Sequence, residues 1–181
     1  STLLRTLSAF QKPLTGTIEC NGRNMAEMSP NDVAKELAVV LTSAEPAPLT
    51  VRELVSLGRT PYTNFLGRMS GNDNGIVNDA MELMGVRGFE NRLSTSLSDG
   101  ERQKCMIAKA LARQNQKAIL VSTHDIELAI RFADRIWLLS DGAMHEGCVT
   151  DLYDNGALQR FINSDGVVYD RENNRIVITE T

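Results

Sequence analysis

The sequence predicts an α/β domain, and three observations carry that expectation. Leu37-Ala38-Val39-Val40-Leu41-Thr42 and Lys117-Ala118-Ile119-Leu120-Val121 are apolar runs of strand length, with little of the alternation of a half-exposed strand. Parallel strands covered on both faces read this way. Helix-period segments lie between them, the clearest being Lys104-Cys105-Met106-Ile107-Ala108-Lys109-Ala110-Leu111-Ala112-Arg113. The second run continues into Ser122-Thr123-His124-Asp125, which puts polar groups at the carboxyl end of a strand, where open α/β sheets bind ligands.

At 181 residues the chain has length for one sizeable domain, or one domain with a small lobe. Hydrophobic residues at 42% and charged residues at 23% are globular values. A net charge of −4 without a basic cluster argues against a nucleic-acid surface. Cys20, Cys105 and Cys148 are odd in number, far apart and without metal-ligand spacing, so they are expected to be reduced core thiols of a cytoplasmic protein. No apolar run approaches the ~18 residues of a membrane span, and no secretory signal pattern is visible. The chain starts at Ser1 without an initiator Met and is expected to be a fragment or a processed product.

Taken in order, Ser1 to Phe10 places Leu3, Leu7 and Phe10 on one face of an expected buried helix, with two hydroxyls leading. Pro13 to Gly22 reads as a turn, a short strand and an Asn21-Gly22 hairpin turn. Ser29, with Pro30 at the first helical position, caps a short helix through Leu37. Thr50 caps the next helix, which Gly58 is expected to stop. A further helix runs from Asn72 to Leu83 with Ile76, Ala80 and Leu83 on one side, and Gly85 to Leu93 connects onward.

Ser98 and Glu101 then form a capping box that opens an amphipathic helix. By itself this is either an ordinary capped surface helix or an anion site, since Gly100 lets a ligand approach the helix N-terminus. His124 is likewise either structural or placed for chemistry, and His145 is expected on the surface or in a turn. Ile126 to Arg135 reads as a helix, and Ile136 to Gly142 as a strand turning back through Glu146-Gly147. Asp151 opens a carboxyl-terminal segment, and residues 167–170 and 175–178 form a terminal hairpin around Asn173-Asn174.

Leu97-Ser98-Asp99-Gly100-Glu101-Arg102-Gln103, followed by its small, apolar and basic helix, resembles the signature motif of ABC-transporter ATPases. The resemblance implies that Ser98, Asp99, Gly100 and Glu101 hold the γ-phosphate of a nucleotide bound to a partner subunit. Asp99 and Glu101 stand where Gly and Gln are commoner; they keep the backbone donors but add acid beside a phosphate. Ser1-Thr2 resembles the tail of a P-loop, with Ser1 on Mg²⁺ and Thr2 on a phosphate. Ser43 stands where the family places a Gln that touches Mg²⁺ and the attacking water. Ser122-Thr123-His124-Asp125 resembles the switch segment, in which His124 would bond the γ-phosphate and orient the water. Thr50-Val51-Arg52-Glu53-Leu54-Val55 and Gly58-Arg59-x-Pro61-Tyr62 are similar to importers of iron-siderophore, haem or cobalamin.

By that resemblance the fold is an α/β, P-loop NTPase-type core with an antiparallel edge sheet and an inserted helical subdomain. Residues 1–48 and 106–181 would form the core, and 49–105 the helical subdomain ending in the signature. The implied cofactors are ATP and Mg²⁺. The implied partners are a second copy in a head-to-tail dimer, membrane permease subunits and, indirectly, a periplasmic or lipoprotein binding protein, with no nucleic acid. The implied location is peripheral, on the cytoplasmic face of the plasma membrane.

Two parts of the family pattern are missing from the sequence: the P-loop glycines with their Lys, and an aliphatic strand ending in Asp-Glu. The second would lie between Arg113 and Lys117 as a strand-plus-helix unit of roughly 30 residues. Gln114-Asn115-Gln116 alone separates those residues, so a deletion or a break is expected there. The alternatives are a non-hydrolysing module that binds nucleotide or a partner, and a soluble ABC-type ATPase.

Overall fold

The computed structural model describes residues 2–29, 32–33, 36–40, 48–63, 67–113, 118–140, 142–162, 167–170, 172–173 and 175–178. The chain divides into two compact units, Ser1–Ser122 and Thr123–Thr181. Ser1, Ser43 and the junction at Gln114 to Lys117 lie outside the described residues.

The first unit opens with α1 (Thr2–Leu7), which contains no buried residue. The expected buried face is corrected: Leu3 is 43% and Phe10 68% exposed. The helix stops at Leu7, and the left-handed turn at Ala9 (φ 59°) swings Phe10 off the helical face. The hairpin forms as expected, β1 (Glu19–Cys20) pairing antiparallel with β2 (Arg23–Asn24). Asn21 at φ 50° and Gly22 at φ 72° make the two left-handed positions that an Asn-Gly hairpin turn requires. Ser29 accepts from the Asp32 N–H at 3.2 Å as an N-cap does, while Pro30, Asn31, Ala34 and Lys35 lie outside the described residues.

The two apolar runs pair in parallel, β3 (Leu37–Val40) with β4 (Ala118–Val121), Leu37 opposite Ala118 and Val40 opposite Val121. Val40 is buried, Ala118 is exposed and the other positions of the two strands are partly covered, so these strands are less enclosed than their composition suggests.

Three helices make the densest part of the unit. α2 (Val51–Ser56) and α3 (Gly71–Leu83) both pack on α4 (Asp99–Ala112). Each starts with a capping box, at Thr50/Glu53, Ser70/Asp73 and Ser98/Glu101. Val51, Val55, Val77, Met81, Val86, Cys105, Ala108 and Ala112 are fully covered. The inward face of α3 is Asp73, Val77, Ala80 and Met81; Leu83 is exposed, which corrects the expected Ile76/Ala80/Leu83 stripe. Gly58 does not stop α2 in a left-handed cap. The chain continues as a 3₁₀ helix from Leu57 to Tyr62, with Gly58 buried inside it. Residues 90–94 run beside the start of α2, with the Val51 N–H on Arg92 O at 2.9 Å and the Ser94 N–H on Leu49 O at 2.8 Å.

The second unit begins with α5 (Ile126–Phe132), capped by Asp125. β5 (Ile136–Ser140) and β6 (Ala143–Gly147) form an antiparallel hairpin, then come α6 (Val149–Asp154) and α7 (Ala157–Ile162). β7 (Val167–Asp170) and β8 (Arg175–Ile178) make the expected terminal hairpin. Ile130, Ile136, Leu138, Leu152, Ala157, Leu158 and Tyr169 form its core. His145 is a half-buried strand residue opposite Leu138 rather than a turn residue. All three cysteines are free, but Cys105 alone is fully buried, so Cys20 and Cys148 are not the core thiols expected.

Candidate functional site

The N-terminus of α4 is built by Ser98 and Glu101. Ser98 lies in extended backbone (φ −62°, ψ 162°), and its Oγ accepts from the Glu101 N–H at 3.3 Å. The Glu101 carboxylate in turn accepts from the Ser98 N–H at 2.8 Å and from the Ser98 hydroxyl at 2.9 Å. These bonds hold the Glu101 carboxyl below the usual carboxylate range, the Ser98 N–H contributing most and then its hydroxyl, with Arg92 and Lys104 adding charge. Arg92 sits 3.5 Å from Glu101 and donates to Ser96 O at 3.0 Å. Asp99 pairs with Arg102 and its side chain is otherwise in solvent.

Beyond the adjacent residues and the helix's own backbone, no atom lies within 4 Å of where a Cβ on Gly100 would be, so the first turn of α4 is open on that side. Backbone N–H groups at such an end attract anions.

The other end of α4 is held by a cluster that sequence reasoning missed. Arg59 is 5% exposed, yet its Nε and Nη2 donate to Asp73 Oδ1 at 2.9 and 2.8 Å, and its Nη1 donates to Ala112 O at 3.0 Å. Its guanidinium lies 4.0 Å over the Tyr62 ring, whose hydroxyl donates to Arg113 O at 3.0 Å. A Cβ on Gly58 would stand 2.3 Å from Lys109 O, so only glycine allows this approach of the 3₁₀ helix to α4. The available signal was the string Gly58-Arg59-x-Pro61-Tyr62, in which a turn-forming pair brackets an Arg and an aromatic residue follows.

Midway along α4, Gln103 Nε2 donates to Ser122 O at 2.7 Å, and the Ser122 N–H donates to Val40 O at 2.9 Å. The signature helix is thus tied to the carboxyl ends of both parallel strands. Cys105 lies next to Lys104 on this helix, and burial pushes its thiol up to about 11, with Glu101 adding to the rise. At neutral pH it is an inert core thiol.

Of the other expected residues, Thr2 is exposed at the start of α1, its carbonyl accepting from the Thr6 hydroxyl at 2.9 Å. In the second unit His124 is exposed in a tight bend between Thr123 and Asp125. Thr123 Oγ1 accepts from the Asp125 N–H at 2.9 Å, and Asp125 Oδ1 accepts from the Leu128 N–H at 2.9 Å. That bend presents the imidazole to solvent on a fixed turn. Among the described residues, no three His, Cys, Asp or Glu side chains gather as a metal site.

Residues 1–120, which include β3, all but the last residue of β4 and the whole of α4, match the family model described as ABC transporter. The chain belongs to that family. Its chemistry is that of ABC ATPases, ATP binding and hydrolysis. The achromobactin transport ATP-binding protein of Dickeya dadantii is 31% identical, covering 91% of this chain and 74% of the relative. The iron(3+)-hydroxamate import ATP-binding protein of Bacillus subtilis is 37% identical, covering 66% of this chain and 45% of the relative. The solved structure of cbiO1 from Clostridium perfringens, part of the cbiONQ ABC transporter complex, aligns with a TM-score of 0.61 at 16% identity. It covers 90% of this chain and 77% of that one, which establishes the shared α/β fold.

The alignment with the Dickeya protein runs over 198 residues, more than the 181 of this chain, of which it covers 91%. The relative therefore carries positions with no counterpart here. The Bacillus alignment, over 121 residues for 66% of the chain, needs almost none.

Proposed function

We propose that the chain is the ATP-hydrolysing subunit of an ABC importer for an iron-siderophore, haem or cobalamin-like ligand. The observation that carries this reading is the Ser98-capped start of α4, open over Gly100. Relatives named for achromobactin and iron(3+)-hydroxamate supply the substrate class. In this reading Ser98, Asp99, Gly100 and Glu101 face the γ-phosphate of an ATP held by a second copy, Thr2 meets a phosphate of the chain's own nucleotide, and His124 orients the water. Mg²⁺, held by Ser1 with Ser43 beside the water, would neutralise charge on the transferred phosphoryl group.

No helix among the described residues is long and apolar enough to cross a membrane. The reading therefore assigns the membrane work to permease subunits fed by a binding protein, with this chain peripheral on the cytoplasmic face. It keeps residues 49–105 as the helical subdomain.

The test is His124→Ala and Ser98→Arg in the full chain. His124→Ala should lower ATP turnover by on the order of a hundredfold or more while nucleotide still binds. Ser98→Arg should block ATP-driven association of two copies and leave the fold intact. Parental turnover in both variants would refute the assignment.

A second reading, binding without hydrolysis, is favoured by one observation: the positions by which the Dickeya relative exceeds this chain. The sequence has no aliphatic run ending in Asp-Glu, the pair that would hold Mg²⁺ and polarise water. ATP-driven association without phosphate release would select this reading.

A further inference from the structure

We propose that Arg59 is a positioning residue for Ser98, acting through the far end of the signature helix. The inference rests on the reading of Ser98 as a phosphate ligand. α4 has 14 residues, and at about 1.5 Å of rise per residue it is about 21 Å long. A tilt of about 3° pivoting at the carboxyl end would carry Ser98 about 1 Å, and such a misplacement costs on the order of a hundredfold at a reacting centre. Directional bonds to two successive carbonyls at that end resist such a tilt and so position the phosphate ligand.

Arg59 is built to fix it. Its guanidinium grips the Ala112 carbonyl at 3.0 Å, at the end of α4 where the helix dipole favours a cation. The same group cannot rotate, because Asp73 holds it from the other side at 2.8 and 2.9 Å and Tyr62 lies against its face. Asp73 is in turn held by the Ser70 N–H at 2.9 Å and the Ser70 hydroxyl at 2.6 Å, the capping box of α3. Tyr62 reaches the next carbonyl, Arg113 O. Two side chains of one 3₁₀ helix thus reach two successive carbonyls at the end of α4, and α3 backs Arg59 through Asp73.

Stability alone does not call for such a cluster. A well-packed apolar pair of similar volume is often as stable as a buried ion pair, or more so. What an apolar pair cannot supply is a directional bond to the helix end, and that separates the two roles experimentally.

The test compares Arg59→Met/Asp73→Leu, Arg59→Lys and Tyr62→Phe with the parent in the full chain. Thermal melting, ATP affinity of the monomer and ATP-driven association are the readouts. The double variant gives up the Ser70/Asp73 cap of α3 and should melt somewhat below the parent while still folding and binding ATP within about twofold, yet associate about tenfold more weakly or worse. Arg59→Lys, which keeps a donor for Ala112 O but loses the fork, should fall between. Tyr62→Phe, which deletes one exposed hydrogen bond and should fold in any case, is expected to weaken association a few-fold with melting unchanged. Parental association in a folded double variant, or in Tyr62→Phe should the double variant not fold, overturns the proposal. Ser98→Ala run in parallel separates the failures: if it too associates as the parent, the reading of Ser98 falls; if it is weakened while Arg59 variants are not, Arg59 alone is misassigned.

Discussion

The helices between Leu49 and Arg113 and the unit that starts at Thr123 build their cores differently. The helical stretch caps its three helices locally with capping boxes and adds a buried ion pair whose members are both 5% exposed. The later unit relies on one-sided sheets. In the β5–β6 hairpin Ile136 and Leu138 face the core, while Trp137 (38%), Leu139 (55%) and Met144 (53%) remain exposed on the other face. A helix satisfies its own backbone, so its position is set by a few side-chain bonds. A strand needs a neighbour and shows a bare face when none is supplied. The candidate anion site lies in the first kind of region, and His124 begins the second.

The largest expected effects test whether the two cores respond separately. Leu152, fully buried in the second core, should cost about 2–5 kcal/mol when changed to Ala. Gly58→Ala drives a methyl group into Lys109 O and should cost about 1–3 kcal/mol, or more if α4 cannot shift. Native-state hydrogen exchange checks this. Leu152→Ala should lower protection in 123–181 and Gly58→Ala in 49–113, and equal losses throughout both would break the contrast.

The ion pair gives a pH-dependent version of the same contrast. Asp73 is held down to about 2 from an ordinary 3.8, first by the Ser70 hydroxyl, then by the Ser70 N–H and by Arg59. A lowered folded-state value means that the unfolded chain binds the proton more tightly. Its stabilising contribution is therefore complete above about 3.8 and is lost as pH falls through about 2. Acid titration should show the helical amides losing protection across that window, and Asp73→Asn should remove the dependence. An unchanged acid transition in Asp73→Asn would mean that other carboxylates govern it.

Much of the helical stretch was legible because its signals are local. Thr50/Glu53 and Ser98/Glu101 announce their capping boxes at fixed spacing, and Asn21-Gly22 announces its turn. What stayed hidden depends on residues remote in sequence. Nothing near Gly58 says that Lys109 O will lie against it, so a helix stop was the natural reading. Arg59 looks like a surface cation until Asp73 and Ala112 are placed beside it. Leu3 and Phe10 look like core until Ala9 bends the chain. In the site, Ser98 and Glu101 were visible as a pair. Their tie to the strands through Gln103 and Ser122 was not, because it spans 19 residues.

The smallest expected effect concerns a cap that the second unit makes with poor chemistry. α6 opens with the same reciprocal pattern as the earlier helices, but its capping residue is Cys148. The Asp151 N–H donates to Cys148 Sγ at 3.4 Å, and the Cys148 N–H donates to Asp151 Oδ2 at 3.2 Å. Sulfur is a weak acceptor, whereas a serine hydroxyl is among the preferred N-caps. Cys148→Ser keeps the shape and shortens the bond, so it should stabilise the second unit by about 0.5 kcal/mol, set against the lost burial of a half-covered sulfur. Thr50→Ala, which deletes a full-strength cap in the helical stretch, should cost about 1 kcal/mol. Urea unfolding of the two variants reads both signs. If Cys148→Ser is destabilising by as much as Thr50→Ala, the sulfur acts through packing rather than through the cap, and the two units are closer in construction than their helix starts suggest.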